Sequence, residues 1–141
     1  MVLDDNSGWI MKVLVCGDRD WTNRQAIRLW LQVLKEIGYT DLIEGEARGA
    51  DRLFREEGEK LGYVIYPYPA EWGKYHRGAG PIRNRQMLDQ KPDLVLAFHT
   101  DLKNSKGTAD TVREARRRGI QVIADKGGDD GEPNNPSQVK G

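Results

Sequence analysis

Short apolar runs alternate along the chain with longer segments in which apolar residues recur every three or four positions. The first run, at 13–15, is followed by Cys16 and Gly17 and predicts a strand buried on both faces. The next segment, 22–37, has helical spacing and ends before Gly38, so it predicts a helix. The same alternation predicts strands at 40–44, 63–66, 93–98 and 120–124 and helices at 51–61, 82–90 and 108–118.

Strands that alternate with helices are typical of a parallel sheet with helices on its faces. The sequence therefore predicts an α/β fold: one Rossmann-like domain over residues 11–124, with a five-stranded, mainly parallel sheet flanked by helices. Residues 1–10 are predicted to be a leader. Residues 125–141 are rich in Gly, Asp, Asn and Pro and predict a disordered tail.

Residues 67–81 interrupt this alternation. They are rich in glycine, proline and aromatic residues and show no sustained period, so they predict a long functional loop. Trp72 and Tyr75 lie in it, where they could stack on a nucleobase or pack the loop against the domain.

Composition narrows the possible functions. Lys+Arg and Asp+Glu both number 22, so the net charge is zero and no overall positive field favours a nucleic-acid backbone. The chain has one cysteine, Cys16, which excludes an internal disulfide and is expected to be a buried thiol. Its two histidines, His76 and His99, do not form a metal-binding set with Cys16, so we predict neither a metal nor a cofactor. No stretch is apolar enough to span a bilayer, and we expect a cytoplasmic protein.

Glycines and polar residues cluster directly after the first two predicted strands and between the fourth strand and the last helix, where parallel strands present their carboxyl ends to one edge of a sheet. Glycine allows close backbone approach there, and the free N–H groups of a helix N-terminus attract anions such as phosphate. Any one cluster could serve a turn or a helix cap, but the three together predict a ligand site. Its candidate residues are Gly17, Asp18, Arg19, Trp21, Gly45, Ala47, Arg48, Gly49, Asp51, Ser105, Gly107 and Thr108.

The helix that follows the loop adds Arg83 and Asn84 to the candidates. Arg83 could hold a phosphate bidentately or form a surface ion pair, and Asn84 offers a donor and an acceptor to a ribose or base. Asp110, in the first turn of the predicted last helix, could cap that helix or face the same ligand and stabilise positive charge on a ribose. The basic cluster 116–118 is expected to be a solvated helix end. No P-loop and no G-x-G-x-x-G motif occurs, which weakens ATPase and dehydrogenase interpretations.

Several of these motifs succeed one another in a recognisable order. They are Gly17-Asp18-Arg19-Asp20-Trp21, Gly45-x-Ala47-Arg48-Gly49-Ala50-Asp51, Pro69-Ala70-x-Trp72, Ala79-Gly80-Pro81-x-Arg83-Asn84-x-x-Met87 and Ser105-x-Gly107-Thr108-x-Asp110. Together they resemble the YspA-like branch of the SLOG superfamily, which is related to the DprA and lonely-guy (LOG) proteins. The resemblance covers about residues 11–124.

The resemblance implies a nucleotide site. In LOG enzymes an Arg-Lys-x-x-Met helix start and a Gly-Gly-x-Gly-Thr-x-x-Glu loop hold a nucleoside monophosphate and support cleavage of its N-glycosidic bond. Arg83 then takes the arginine position and Asp110 lies near the acidic position. Asn84 replaces the lysine, Ser105 replaces a glycine, and Asp110 is one residue nearer Thr108 than the LOG glutamate.

These observations predict a protein that binds a nucleotide or a nucleotide-derived small molecule at the strand carboxyl ends. Phosphoribohydrolase-like cleavage, with Arg83 and Asp110 as catalytic residues and Trp72 among the ligand-binding ones, is one form of this hypothesis. A non-catalytic sensor or sequestering protein is the alternative, and single-strand DNA binding is a third class that the neutral charge disfavours. Homo-oligomerisation is expected because related domains commonly form dimers.

Overall fold

A computed structural model describes residues 10–46, 49–101 and 105–126. The strands are β1 (Met11–Gly17), β2 (Tyr39–Glu44), β3 (Val64–Pro67), β4 (Leu94–Phe98) and β5 (Val122–Asp125). The helices are α1 (Arg24–Ile37), α2 (Ala50–Lys60), the short α3 (Trp72–Tyr75), α4 (Ala79–Leu88) and α5 (Lys106–Arg117). The predicted order of strands and helices is confirmed, with boundaries that differ by up to three residues.

The strands form one sheet in the order β3-β2-β1-β4-β5, and every neighbouring pair is parallel. This confirms the predicted α/β, Rossmann-like class. After β1 the chain builds outward through β2 to β3, and it then returns to the other side of β1 to add β4 and β5. The strand order therefore reverses at β1, which is where open α/β sheets form a ligand crevice at the carboxyl edge.

Two apolar layers cover the two faces of the sheet. Side chains of α1 and α2, among them Trp30 and Phe54, pack on one face, and side chains of α4 and α5, among them Met87 and Val112, pack on the other. Successive residues of β1 alternate between the layers, since side chains of a strand point to opposite faces. Burial on both faces explains why the central strands are continuous apolar runs.

Residues 67–81 differ from the predicted irregular loop. Trp72–Tyr75 is one helical turn, a 3-10 turn spans His76–Gly78, and α4 begins at Ala79 rather than residue 82. Helical segments this short contain too few residues to show a hydrophobic period, so the sequence pattern does not reveal them.

Helix α1 is tied to α2 by a buried carboxylate. Glu57 on α2 is 1% exposed and receives hydrogen bonds from Arg24 at 2.7 Å and Arg28 at 2.8 Å, with Lys60 at 3.3 Å. Burial by itself raises the pKa of Glu57, but these hydrogen bonds outweigh it and hold the pKa at about 2. The carboxylate is therefore ionised at neutral pH and fixes the two helices on one face of the sheet.

The domain boundaries can be compared only in part. Strand β5 includes Asp125, whose carboxylate accepts a hydrogen bond from the buried Trp30 indole at 2.9 Å, so the sheet extends one residue past the predicted boundary. Residues 1–9 and 127–141, to which most of the predicted leader and tail belong, lie outside the described residues. In the described part of the chain, no helix is both long and apolar enough to cross a membrane.

Candidate functional site

A cavity of about 1150 Å³ opens at the carboxyl edge of the sheet, where β1 ends between β2 and β4. Its wall is contributed by the turns after β1, β2 and β4, by Arg83, Asn84 and Met87 of α4, by the first turn of α5, and by Trp72. Segments far apart in sequence thus meet around one space, as the glycine clusters predicted.

Asp18 joins the turn after β1 to the segment before α5. Its carboxylate accepts hydrogen bonds from the Thr100 amide at 3.0 Å and from the Ser105 hydroxyl. Its backbone is fixed as well, because its N–H donates to Phe98 and its carbonyl accepts from the Ala50 amide, the first residue of α2. Asp18 is therefore a structural link between three walls of the cavity.

The N-terminus of α5 faces this cavity. Ser105 is the N-cap residue, yet its hydroxyl donates to Asp18 and makes no capping hydrogen bond to the helix. The first N–H groups of a helix have no partner within the helix, and the helix dipole makes this end attractive to anions. Lys106, Gly107 and Thr108, which form this first turn, all line the cavity.

Arg83 projects from the first half of α4 into the same cavity. Its Nη1 atom donates to the Gly45 carbonyl at 2.6 Å, and its Nε atom donates to the Asn84 side-chain oxygen at 2.9 Å. Both acceptors are uncharged, and none of the ion pairs among the described residues involves Arg83. Within the part of the chain that the structure describes, Arg83 therefore forms no surface ion pair, and its guanidinium lies in the cavity wall.

Asn84 is 3% exposed and links Arg83 to α5. Its side-chain nitrogen donates to Asp110 at 3.0 Å and to the Gly107 carbonyl at 3.4 Å, while its oxygen accepts from Arg83. Each end of the amide therefore has a defined partner, which fixes its orientation and holds the Arg83 guanidinium in place.

Asp110 does not line the cavity. Helix α5 begins two residues before its predicted start, which places Asp110 in the second turn, where it cannot cap the helix. Its carboxylate instead accepts from Asn84 and forms ion pairs with Arg85 at 3.4 Å and Arg113 at 3.1 Å. The carboxylate faces α4 rather than the space in front of Arg83.

Two glycines allow the walls to approach closely. A methyl group on Gly45 would lie 2.6 Å from Arg83 Nη1, so the guanidinium occupies the space that any side chain would take. Gly49 has φ +74, a conformation that favours glycine, and a methyl group there would overlap the Arg19 carbonyl. Gly49 therefore allows its turn to approach the Arg19 backbone and does not itself line the cavity.

Two tryptophans of different exposure line the cavity. Trp21 is buried, packs edge-on against Phe98 and donates its indole N–H to the Asn23 carbonyl at 3.0 Å. Trp72 is 54% exposed at the rim, with its ring edge near Gly80. Trp21 is thus part of the core, whereas Trp72 offers an uncovered aromatic surface.

Charges of both signs surround the cavity. Asp51 is buried at the start of α2, and its negative charge contributes to raising the pKa of the neighbouring Cys16 thiol, although burial is the larger cause. Cys16 is the buried, neutral thiol that its apolar run predicted. A ligand with both an anionic group and hydrogen-bond donors would complement such a wall. The acidic lining residues are Asp18, Asp20, Glu46, Asp51 and Asp101, and the basic ones are Arg19, Arg83, Lys106 and Lys126.

Most of the residues predicted for the site line this one cavity. Gly49 and Asp110 do not, for the reasons given above. Ala47 and Arg48 lie outside the described residues. The predicted residues that line it are Gly17, Asp18, Arg19, Trp21, Gly45, Asp51, Trp72, Arg83, Asn84, Ser105, Gly107 and Thr108.

Sequence reasoning missed residues whose position depends on tertiary contacts. Thr100 and Lys126, which follow β4 and β5, line the cavity but belong to no motif. Glu44, the last residue of β2, is fully buried directly beneath the Gly45 turn. The only signal for Glu44 in the sequence was a charged residue that directly follows the apolar pair Leu42 and Ile43 at the end of a strand.

A second, smaller cavity of about 520 Å³ lies between the end of β3 and α4. Its lining includes Glu71 and Asp89 and no lysine or arginine, so it lacks the cations that an anionic ligand needs. In the basic cluster 116–118, Arg117 and Arg118 pair with Glu114, and Arg118 also pairs with Asp89 of this lining.

Comparison with known proteins relates the chain to one family and to a phage protein. The profile of the family described as YspA, cpYpsA-related SLOG family matches residues 11–75, from β1 to α3. The chain is also 32% identical over 123 residues to the Gene 61 protein of Mycobacterium phage D29, an alignment that covers 79% of this chain and 94% of that protein.

Proposed function

The chain belongs to the YspA-like SLOG family, and from the geometry of its cavity we propose that it binds a nucleotide or nucleotide-derived small molecule at the carboxyl edge of the sheet. The phosphate lies between the Arg83 guanidinium and the N-terminus of α5. The remainder of the ligand extends along the cavity toward Trp72.

One observation carries the proposal. Arg83 is held by two uncharged acceptors, Gly45 and Asn84, and forms no ion pair among the described residues. A guanidinium that is fixed in place by uncharged acceptors is a pre-organised receptor for an anion, because the protein has already ordered its side chain. The N-terminus of α5, which has no side-chain capping hydrogen bond, lines the same cavity and adds backbone N–H groups that can bind an anion.

The other lining residues suit the rest of a nucleotide. Carboxylates such as Asp51 and Glu46 can accept hydrogen bonds from ribose hydroxyls or from an exocyclic amino group. The exposed face of Trp72 can stack on a base, which would also cover an apolar surface that is otherwise in water.

The position of Asp110 favours binding over LOG-like hydrolysis. Cleavage of an N-glycosidic bond in the LOG manner uses the carboxylate at the motif position near Asp110, whereas here the Asp110 carboxylate is engaged by Asn84, Arg85 and Arg113 and does not line the cavity. We therefore assign the protein to the sensor or sequestering class, with Asp110 as a residue that positions Asn84.

Calorimetric titration with adenosine, guanosine, cytidine and uridine monophosphates tests this function. We expect saturable one-to-one binding of similar affinity by the wild type and by Arg52→Ala, whose exposed arginine lies on α2 outside the cavity, and much weaker binding by Arg83→Ala. Chromatography of the same mixtures for free base separates the two classes. Bound nucleotide without released base supports a binding protein, and steady release of base would restore the hydrolase hypothesis.

A further inference from the structure

Glu44 is a fully buried carboxylate that does not touch the cavity. Its Oε1 atom accepts a hydrogen bond from the Glu46 amide at 2.5 Å, and its Oε2 atom lies 3.4 Å from Arg55 Nη1 on α2. A buried acid with two defined partners at the end of a strand has a specific task, because burying a carboxyl group is unfavourable without such partners.

The turn that Glu44 holds is in an unfavourable conformation. Glu46 has φ +55, a left-handed value that non-glycine residues rarely adopt. The hydrogen bond from its amide to Glu44 is made in this conformation, so the carboxylate stabilises the turn from the interior.

Arg83 contacts the same turn from the cavity side. Its Nη1 atom donates to the carbonyl of Gly45, the residue between Glu44 and Glu46. The direction of that carbonyl depends on the turn, and the position of the guanidinium depends on the carbonyl. Glu44 and Arg83 are thereby connected through one peptide group, although Glu44 is not exposed to the ligand.

We propose that Glu44 is a positioning residue, which orders the Gly45–Glu46 turn for Arg83 and weakens ligand binding when it takes up a proton. This inference rests on the proposed function, since it concerns regulation of the same nucleotide site.

The surroundings of Glu44 place its titration near neutral pH. Burial, the largest effect, raises its pKa to about 7, helped by the negative charge of Asp51 and opposed by the Glu46 amide and Arg55. These groups come from the turn and from α2, and Arg83 on α4 lies beyond the Gly45 carbonyl. A carboxyl group in this setting changes charge within the physiological range.

The direction follows from the hydrogen bond to Glu46. An ionised carboxylate accepts it as a charge-assisted bond, which is about twice as strong as a neutral one. Protonation therefore loosens the turn and leaves Arg83 less well ordered. Arg55 offsets the negative charge of ionised Glu44, so repulsion of the ligand phosphate is the smaller effect.

The first experiment needs no ligand. In ¹⁵N-labelled protein, the amide resonance of Glu46 is followed from pH 5.5 to 8.5 in the wild type, in Glu44→Gln and in Glu56→Gln. Glu56 is the matched control, since it is a partly exposed acid of α2 that pairs with Arg24. We expect a transition with a midpoint near pH 7 in the wild type and in Glu56→Gln and none in Glu44→Gln. A flat profile in folded wild type overturns the proposal even if Glu44→Gln does not fold.

The second experiment measures affinity for adenosine monophosphate at pH 6 and pH 8 in the same proteins. The phosphate of the ligand also titrates in this range. Its effect on affinity is given by the pH profile of Glu44→Gln, which lacks only the titration of Glu44. We expect wild-type affinity to fall about fivefold more than that of Glu44→Gln on going from pH 8 to pH 6. Equal pH profiles for the two proteins would overturn the regulatory role.

The two experiments distinguish failure of the proposed function from failure of the regulatory role of Glu44. A protein that binds no nucleotide at either pH contradicts the proposed function, while the Glu46 resonance still decides whether Glu44 orders the turn. If the wild type and Glu44→Gln bind nucleotide with the same pH profile, the proposed function stands and the regulatory role of Glu44 is wrong.

Discussion

Arg83 and Asn84 are consecutive on α4, and their side chains hydrogen-bond to each other at 2.9 Å, from Arg83 Nε to Asn84 Oδ1. Successive residues of a helix point in different directions, so such a bond requires both side chains to turn toward a common place. That place is the cavity wall, where Asn84 is itself held by α5. The orientation of the guanidinium is thus determined by two helices and by the turn after β2.

Replacement of Arg83 by alanine should weaken nucleotide binding with little effect on stability. We expect nucleotide affinity to fall about 10- to 100-fold, because one or more charge-assisted hydrogen bonds to the phosphate are lost. The melting temperature should remain within a few degrees of the wild type, since Arg83 forms no ion pair among the described residues. Calorimetry and thermal unfolding measure the two quantities. A large loss of stability would show that Arg83 is a structural residue.

Two glycine substitutions are expected to differ, one affecting mainly nucleotide binding and the other mainly stability. Gly45→Ala places a methyl group 2.6 Å from Arg83 Nη1, and the flexible end of that side chain can move away. We expect about tenfold weaker nucleotide binding and a free energy of unfolding within about 1 kcal/mol of the wild type.

Gly49→Ala is the substitution to compare with Gly45→Ala, because it adds the same methyl group to the same turn. Here the methyl group meets the backbone of Arg19, which cannot move easily, and φ is +74. We expect a loss of more than about 3 kcal/mol in the free energy of unfolding, measured by urea denaturation. Equal stability of Gly45→Ala and Gly49→Ala would contradict the close packing of these turns.

Asp110→Asn distinguishes a positioning role from a catalytic one. Its partners Arg85 and Arg113 are 44% and 72% exposed, so we expect the free energy of unfolding to change by no more than about 1 kcal/mol. Nucleotide affinity should fall only a few-fold, because the asparagine oxygen can still accept from Asn84. Any base released by the wild type should be released by Asp110→Asn at a similar rate, and a loss of release by orders of magnitude would assign catalysis to Asp110.

Glu44 and Glu57 should give opposite pH dependences of stability. The folded protein raises the pKa of Glu44 from 4.5 to about 7, so it binds more protons than the unfolded chain between these values. Stability contributed by Glu44 is therefore present below pH 4.5 and declines, by up to about 3 kcal/mol, as the pH rises to 7. In urea denaturation, the free energy of unfolding of Glu44→Gln should not show this decline. Near pH 4.5 it should be close to that of the wild type.

The sign for Glu57 is reversed. Its pKa falls from 4.5 to about 2 on folding, so its contribution is present above pH 4.5 and is lost as the pH falls toward 2. We expect Glu57→Gln to lose about 2 kcal/mol of the free energy of unfolding at pH 7 and to approach the wild type at low pH. A constant difference between Glu57→Gln and wild type across this range would show that Glu57 acts by packing alone.

Much of the fold could be predicted because its elements are long enough to show a period. Helix α1 has apolar residues at three- and four-residue spacing and is capped by Asn23 and Gly38, both visible in the sequence. The central strands are continuous apolar runs, since helices cover both faces of the sheet. Helix α3 has four residues and gives no such signal.

The site could be predicted as a set of turns but not as a set of side-chain directions. The turns after β1, β2 and β4 must meet, because the carboxyl ends of parallel strands share one edge. The direction of Asp110 depends on the exact start of α5 and on Arg85, which is 25 residues away along the chain. The burial of Glu44 depends on Arg55 of the next helix. Neither partner is indicated by local sequence.

The contact of Gly49 with the Arg19 carbonyl also bears on how this fold can diversify. The two turns touch backbone to backbone, and the Ala50 amide hydrogen-bonds to Asp18 across the same junction. Insertion of a residue into either turn would separate them unless the other changed in compensation. Evolution of a new ligand preference should accordingly proceed by exchange of side chains on an unchanged main chain, with loop length the least variable property of this edge.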